Sequence, residues 1–459
     1  MIFKPYYLDC LAHASYLLGD ESTKSAVVVD PQRDVDGYLK DAAALGLTIR
    51  HVILTHFHAD FVAGHIELSA ATGARIHLGA AARAEYAFSP LNDGDQIVLG
   101  KLRLRALETP GHTPESITLL VFDDAIDAHT PKLALTGDTL FVGDVGRPDL
   151  MASAGMSASE LAGRMYETVR SKLAPLPDEV EVWPAHGAGS MCGKNMSKDR
   201  SSTIGAQRKS NWAFRGMSKS EFVRESTNEL PLQPSYFGFD AEMNRKSRPT
   251  LTAVLERELV PVGIDTIVSA LGRRETVLDV RDPDDFARGH LSGSINIGLG
   301  GKYASWAGVL LDRTQPIWLI ANAGREREAA LRLGRIGFDF VQGYLEGGAA
   351  LFATRPDLSA SFRRVTADEL ARDLASNDPP HVLDVRADSE WSTNHIDGAQ
   401  LVPLPDLARR AAEISRTKRV VIHCAGGYRS SIAASLLMQQ GFTNVEDLIG
   451  GFGAWEQGR

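Results

Sequence analysis

The sequence predicts a multidomain protein of mixed α/β and α+β class, and three observations carry that expectation. The first half alternates short β-rich runs with helical stretches, and its histidines and acids recur at strand ends. The second half contains a diverged internal repeat at an offset of about 104 residues, a domain length rather than a solenoid period. The chain has 459 residues and a hydrophobic fraction of 44%, enough for several ordinary cores.

The elements follow in order. Ala26-Val27-Val28-Val29-Asp30 reads as a buried strand ending in an acid, and His51-Val52-Ile53-Leu54-Thr55 as another. Asn92-Asp93-Gly94-Asp95 is a turn before the strand-like Leu102 to Leu107. Lys132 to Thr136 is a further strand, leading to Gly137-Asp138. In the second half, Val277-Leu278-Asp279-Val280-Arg281 returns as Val382-Leu383-Asp384-Val385-Arg386, and Gly337-Phe338 as Gly441-Phe442. Each copy opens on strand-Asp-x-Arg and continues with β runs and Ala-rich helices, as a small α/β domain does. The expected domains are 1–245, 255–355 and 362–459.

Bulk properties exclude several classes. A net charge of −9 gives no nucleic-acid footprint, and no apolar run approaches a membrane span. Charges and a proline enter too early after Met1 for a secretory signal. Three cysteines, Cys10, Cys192 and Cys424, make no disulfide framework, so a reducing cytoplasm is the expected location.

The chemistry concentrates in two places. In Thr55-His56-Phe57-His58-Ala59-Asp60-Phe61 the two histidines leave the same face of an extended segment, and Asp60 reaches the same space through the following turn. Pro110-Gly111-His112, Gly137-Asp138 and Pro184-Ala185-His186 add two imidazoles and a carboxylate. A lone histidine in any of these segments is more often a structural hydrogen-bonder. Their joint recurrence at strand ends points instead to a metal with an open position for substrate. The second place is Val420-Val421-Ile422-His423-Cys424-Ala425-Gly426-Gly427-Tyr428-Arg429-Ser430. There a buried strand delivers a thiol into a loop of small residues at a helix start, where backbone N–H groups cradle anions. Arg429 adds a fixed positive charge.

On these motifs, residues 1 to about 240 resemble the metallo-β-lactamase superfamily and, within it, the persulfide dioxygenases related to glyoxalase II. The resemblance implies an αββα sandwich followed by two α/β rhodanese-like domains. It also implies one Fe(II) per chain on His56, His112 and Asp138, a set that suits non-haem iron and would also accept zinc. His58, Asp60 and His186 then become orienting groups or the remnant of a second-metal site. Phe61 stands where the superfamily has a further ligating His. Arg147 matches an Arg at the substrate pocket of glutathione-using relatives, where its fork grips a carboxylate. After His186 those relatives carry an Asp-Tyr pair, whereas this chain reads Gly187-Ala188-Gly189-Ser190-Met191-Cys192. Glutathione persulfide, coenzyme A persulfide or another small persulfide is therefore the expected substrate, with O₂. Cys192 is a candidate reactive thiol near the metal, with a buried inert thiol as the structural alternative.

The segment around Cys424, with Asp384-Val385-Arg386, Glu390 and His395 to Ala399, resembles the rhodanese sulfurtransferases. The Cys-to-Arg spacing fits their compact loop rather than the longer phosphatase loop. Cys424 and Arg429 are the implied catalytic pair, with Ala425, Gly426, Gly427, Tyr428 and Ser430 forming the persulfide loop. In the first repeat Asn322 is expected where Cys424 stands, leaving that domain without sulfur chemistry and free to act as a spacer, docking surface or oligomer contact. The combined expectation is oxidation of a thiol persulfide to sulfite, with sulfur transfer to or from thiosulfate through Cys424, in a homodimer or homotetramer. The rivals are a zinc hydrolase of glyoxalase II type joined to a rhodanese, and a non-catalytic sulfur carrier.

Overall fold

Strand runs with no polar alternation form here because both faces of the first sheet are covered. In the strand His13–Asp20, Tyr16 and Leu18 enter one core while Leu17 between them enters another; Val27 and Val29 part from Val28 in the same way. A computed structural model describes residues 1–150, 155–230 and 233–458 of the chain.

The first sheet takes its strands in chain order: β1 (Ile2–Leu8), β2 (His13–Asp20), β3 (Ser25–Val29), β4 (Thr48–Ile53), β5 (Arg75–Gly79) and β6 (Ser89–Leu91). The second holds β7 (Gln96–Leu99), β8 (Leu102–Glu108), β9 (Ile117–Asp123), β10 (Leu133–Gly137), β11 (Glu181–Pro184) and β12 (Ser202–Thr203), again each beside the next. Tyr16, Val27 and Ile53 of the first sheet meet Leu104, Leu119, Val121 and Leu135 of the second in the core between them. Helices Asp36–Ala44 and His65–Thr72 cover the outer face of the first sheet through Tyr38 and Leu68. Met165, Val169 and Leu173 cover that of the second. The result is the expected αββα sandwich.

Two further sheets confirm the internal repeat. The strands β13 (Pro261–Val262), β14 (Thr276–Asp279), β16 (Ile295–Asn296), β17 (Ile317–Ile320) and β18 (Val341–Leu345) pair in the order β13-β18-β17-β14-β16. A short pair, β15 (His290–Leu291) and β19 (Ser359–Ala360), stands apart. Strands β20 (Arg363–Val365), β21 (His381–Asp384), β22 (Gln400–Leu401), β23 (Val420–His423) and β24 (Val445–Leu448) then repeat the order as β20-β24-β23-β21-β22. Every pairing in both five-stranded sheets is parallel. The buried Val/Ile/Leu runs of these strands are what a parallel sheet covered on both faces requires.

Register corrects one expectation. Asp279 pairs with Ile320, and Asp384 with His423. The residue after each is Ala321 and Cys424, so Ala321, not Asn322, holds the thiol's position. The left-handed glycines agree, Gly324 with φ 83° matching Gly427 with φ 96°. By the same register Glu326 stands where Arg429 does.

By contact density the chain divides into one unit of Met1–Ala253 with Gly334–Gly337, and a second of Val254–Leu333 with the chain from Phe338 onward. Among the described residues no helix is long and apolar enough to cross a membrane.

Candidate metal centre and sulfur-carrying loop

The candidate metal centre is built backwards from Asp30, which follows β3 in the left-handed region at φ 50°. Its carboxylate accepts from Thr55 N at 2.7 Å and from Thr55 Oγ1 at 2.8 Å. With its own O–H directed at Asp30, the Thr55 hydroxyl accepts from His56 Nδ1, 3.0 Å away. That places the His56 proton on Nδ1 and leaves Nε2 bare. His112 is set by the same logic: its Nδ1 donates to the Arg147 carbonyl at 2.8 Å, freeing Nε2. Asp138 Oδ1 accepts from His186 Nδ1 at 2.7 Å, so Oδ2 is left over. That oxygen stands 3.7 Å from His56 Nε2 and 3.6 Å from His112 Nε2.

These three buried residues bring one ligand atom each within 4.8 Å of one another. His56 Nε2 and Asp138 Oδ2 are buried with no hydrogen-bond partner. Bare imidazole nitrogens facing a bare carboxylate oxygen make a poor hydrogen-bond network but a fitting donor set for a divalent cation. Burial lowers the pKa of both His56 and His112, keeping them neutral as ligands must be. Burial opposes charge on Asp138 too, but His186, His56 and His112 around it hold its pKa well below the usual carboxylate range. Close packing keeps the loops in place. A Cβ on Gly146 would fall 2.0 Å from the Asp138 carbonyl oxygen, and one on Gly137 would fall 2.4 Å from Thr55 Oγ1.

The neighbouring groups take distinct places. His58, Asp60 and His186 form a second buried cluster, also with ligand atoms within 4.8 Å. His58 Nε2 lies 3.0 Å from Asp30 Oδ1, and His186 Nε2 lies 2.9 Å from Asp60 Oδ2. Burial disfavours charge on His186, but the Asp138 and Asp60 carboxylates on its two nitrogens outweigh this and raise its pKa well above the imidazole norm. Phe61 packs on His58, with ring centroids 4.4 Å apart. His13, at the start of β2, is a member of the site that the motifs do not indicate. It is fully buried, both its ring nitrogens lack hydrogen-bond partners, and its ring lies 4.0 Å from that of Phe61. A single histidine opening a strand carries no spacing signal, so only the fold reveals it.

Cys192 reaches this cluster: its sulfur belongs to a group with Asp138 and His186 whose ligand atoms lie within 4.8 Å. Burial first, then the Asp60 and Asp138 charges, raises its thiol pKa well above the ordinary value. Arg147 is placed differently from the expected substrate clamp. Its fork closes on Asp149 through two bonds of 2.7 Å, its Nη1 donates to the Met191 carbonyl, and it is 2% exposed. Its backbone carbonyl orients His112.

In the sulfur loop β23 delivers Cys424 at 1% exposure, and Gly427 N donates to its Sγ at 3.1 Å. Gly427, at φ 96°, turns the chain into the helix Tyr428–Gln439. Ser430 Oγ lies 3.6 Å from the sulfur. Arg429 is held by a two-pronged pair with Glu390, at 2.6 and 2.7 Å. Behind the loop Gly451 leaves no room for a side chain, since a Cβ would sit 2.4 Å from the Cys424 carbonyl oxygen. Ala425 and Gly426 are exposed, giving an approach to the cradle.

Comparison with known proteins follows the same division. The metallo-beta-lactamase superfamily profile matches residues 8–186, and the rhodanese-like domain profile matches 265–354 and 366–458. The mitochondrial persulfide dioxygenase of Bos taurus is 32% identical over 178 residues, 38% of this chain and 63% of the relative. A hydroxyacylglutathione hydrolase of Rhodospirillum rubrum is 32% identical over 173 residues, 37% of this chain and 60% of its own. The chain thus spans less than two thirds of either curated relative. A solved metallo-beta-lactamase structure from Staphylococcus aureus is 31% identical, with a TM-score of 0.66, and the match covers 75% of this chain and 98% of that one. The chain belongs to the metallo-beta-lactamase superfamily through its first domain, and two rhodanese-like domains follow it.

Proposed function

We propose that the protein is a persulfide dioxygenase joined to a sulfurtransferase, with domains at 1–245, 255–355 and 362–459. One observation carries the reading: bare, buried His56 Nε2 and Asp138 Oδ2 converge with His112 in the same chain as a thiol cradled beside Arg429. His56, His112 and Asp138 would hold one Fe(II). Bound there, iron supplies the one-electron chemistry that lets triplet O₂ react with a closed-shell sulfur, which no side chain can do.

The residues of the chain do the rest. Asp30 through Thr55, and the Arg147 carbonyl through His112, fix the ring tautomers. His186, charged between Asp138 and Asp60, holds the third ligand in place. Cys192 borders the cluster and is the candidate to meet the persulfide. The overall reaction, R-S-SH + O₂ + H₂O → R-SH + sulfite + 2 H⁺, puts both oxygens of O₂ on the outer sulfur. At the other centre the Cys424 thiolate attacks the sulfane sulfur of thiosulfate. The S–S bond breaks, sulfite leaves with its electron pair, and the sulfur stays as a cysteine persulfide; the reverse step makes thiosulfate. Fe(II), small thiol persulfides such as those of glutathione or coenzyme A, a cytoplasmic setting and a homo-oligomer complete the reading.

A second reading has its own support. The His58, Asp60 and His186 cluster offers a place for another cation, and a hydroxyacylglutathione hydrolase is among the relatives. It predicts a two-zinc thioester hydrolase. Phe61, which ligates nothing, argues against it. The deciding experiment gives glutathione persulfide to anaerobically prepared, Fe(II)-loaded protein and to its Cys424→Ser variant. Oxygen uptake and sulfite from both, with sulfur transfer from thiosulfate lost only in the variant, is the expected result. Two zinc ions per chain with thioester turnover and no oxygen uptake would overturn it.

A further inference from the structure

The repeat without a thiol touches the helix Tyr428–Gln439 that leaves the thiol loop, and it does so through hydrogen bonds rather than apolar packing alone. Asn296 at the end of β16 is the centre of this contact and fully buried. Its Nδ2 donates to the carbonyls of Asp279 and Arg281, both at 3.0 Å, so it is locked to the strand end of its own repeat. Its Oδ1 accepts from Ser431 Oγ at 2.7 Å, and its backbone N donates to Ser435 Oγ at 3.0 Å. Two residues on, the Gly298 carbonyl accepts from the Tyr428 hydroxyl at 2.7 Å. Gly301 lies against the same ring, so close that a Cβ there would come within 2.5 Å of it.

Tyr428, Ser431 and Ser435 are spaced to share one helix face. Burying the Ser431 and Ser435 hydroxyls costs free energy unless each finds a partner, and an all-apolar face would have sealed this contact without that demand. What the hydroxyls add is register: a hydrogen bond fixes position where apolar packing allows sliding. The position fixed is a sensitive one. Tyr428 and Ser431 bracket Arg429, which pairs with Glu390, and Ser430, whose Oγ lies 3.6 Å from Cys424 Sγ.

We propose that the thiol-free repeat is the positioning partner of the persulfide loop, with Asn296 and the Gly298 carbonyl as the positioning groups that set where Arg429 and Ser430 stand relative to Cys424. This rests on reading Cys424 as the sulfur carrier, and it replaces the roles of spacer and docking surface for that repeat.

The test uses the full chain and sulfur transfer from thiosulfate. Asn296→Ala, Ser431→Ala and Tyr428→Phe should each lower kcat by roughly tenfold, as displaced reacting groups do, with the KM for thiosulfate unchanged. Ser431→Thr, which keeps the hydroxyl, should restore most of the rate. The Asn296→Ala/Ser431→Ala double variant should be no slower than Asn296→Ala alone, because the bond between the two side chains is already lost there. If Asn296→Ala does not fold, Gly301→Ala replaces it, displacing the Tyr428 ring and giving the same loss of kcat. A lower Tm with unchanged kcat would reduce the repeat to a structural support and overturn the proposal. If the unsubstituted chain transfers no sulfur, the sulfurtransferase reading falls instead. The rate at which iodoacetamide alkylates Cys424 then decides the positioning role, slower in Asn296→Ala for it and unchanged against it.

Discussion

The two rhodanese-like repeats share a scaffold down to single hydrogen bonds and differ in the loop where only the second carries a thiol. In the first, Arg281 closes on Asp279 and donates to the Gly289 carbonyl; in the second, Arg386 closes on Asp384 and donates to the Asn394 carbonyl. His290 stacks on Phe286 at 3.8 Å between centroids, as His395 does on Trp391 at 3.9 Å. Against this sameness, Ala321 replaces Cys424 and Glu326 replaces Arg429. The scaffold is therefore indifferent to sulfur. Its requirements are a parallel sheet and a buried Asp-Arg hook, and a repeat that loses the thiol keeps its fold while its side chains serve the neighbour.

The sharpest way to break this comparison is to cut both hooks. Asp279→Ala and Asp384→Ala each strand a buried guanidinium, and losing one partner of a buried pair costs about 3–5 kcal/mol. The two variants should lose similar stability in guanidinium denaturation, although only one lies in the repeat that carries the thiol. A cost confined to Asp384→Ala would mean that the hook serves the active loop rather than the fold.

A smaller effect separates the repeats by pH. Register matches Asp447 of the second repeat with Tyr344 of the first, so only the second buries an acid there. Burial, only partly offset by Arg364, pushes the Asp447 pKa from an ordinary 3.8 up to about 6. Because the folded value lies above the unfolded one, its contribution to stability is full below 3.8 and is lost as pH rises through about 6. The size is about 3 kcal/mol at most, since each tenfold change in proton affinity is worth about 1.4 kcal/mol. Asp447→Asn should flatten the stability curve between those two pH values. An unchanged slope would show that the acid titrates as it does in the unfolded chain.

Much of this is legible in the sequence. Strands buried on both faces announce the sandwich, and His56, His112 and Asp138 can be named because each follows a strand or a Gly/Pro-constrained turn that aims it. Other features depend on contacts that spacing cannot encode. His13 meets Phe61 only when β2 lies beside the loop after β4. Arg147 reads as a substrate clamp, although Asp149, two residues on, is the available signal for an internal partner. Asn322 aligns with Cys424 in sequence because Asn-Ala-Gly resembles the small residues of the active loop, and only strand pairing shifts the match to Ala321.

That one-residue shift allows the mildest prediction, a gain rather than a loss. In a Cys424→Ser background, Ala321→Cys places a thiol at the matching strand end, yet Glu326 stands where the cradle needs a cation. A carboxylate beside an incoming anion repels it, so this variant should transfer no sulfur from thiosulfate above background. Adding Glu326→Arg reverses that charge, although Asp285, the register counterpart of Glu390, is already paired with Arg288 and would have to exchange partners to hold the new guanidinium. The double substitution should then show transfer, but at about a hundredth of the Cys424 rate, since a loop not shaped around its thiol misplaces the reacting atoms by the ~1 Å that costs such a factor. Full activity from Ala321→Cys alone would mean that the strand end suffices, and that neither Arg429 nor the anchored helix behind it contributes.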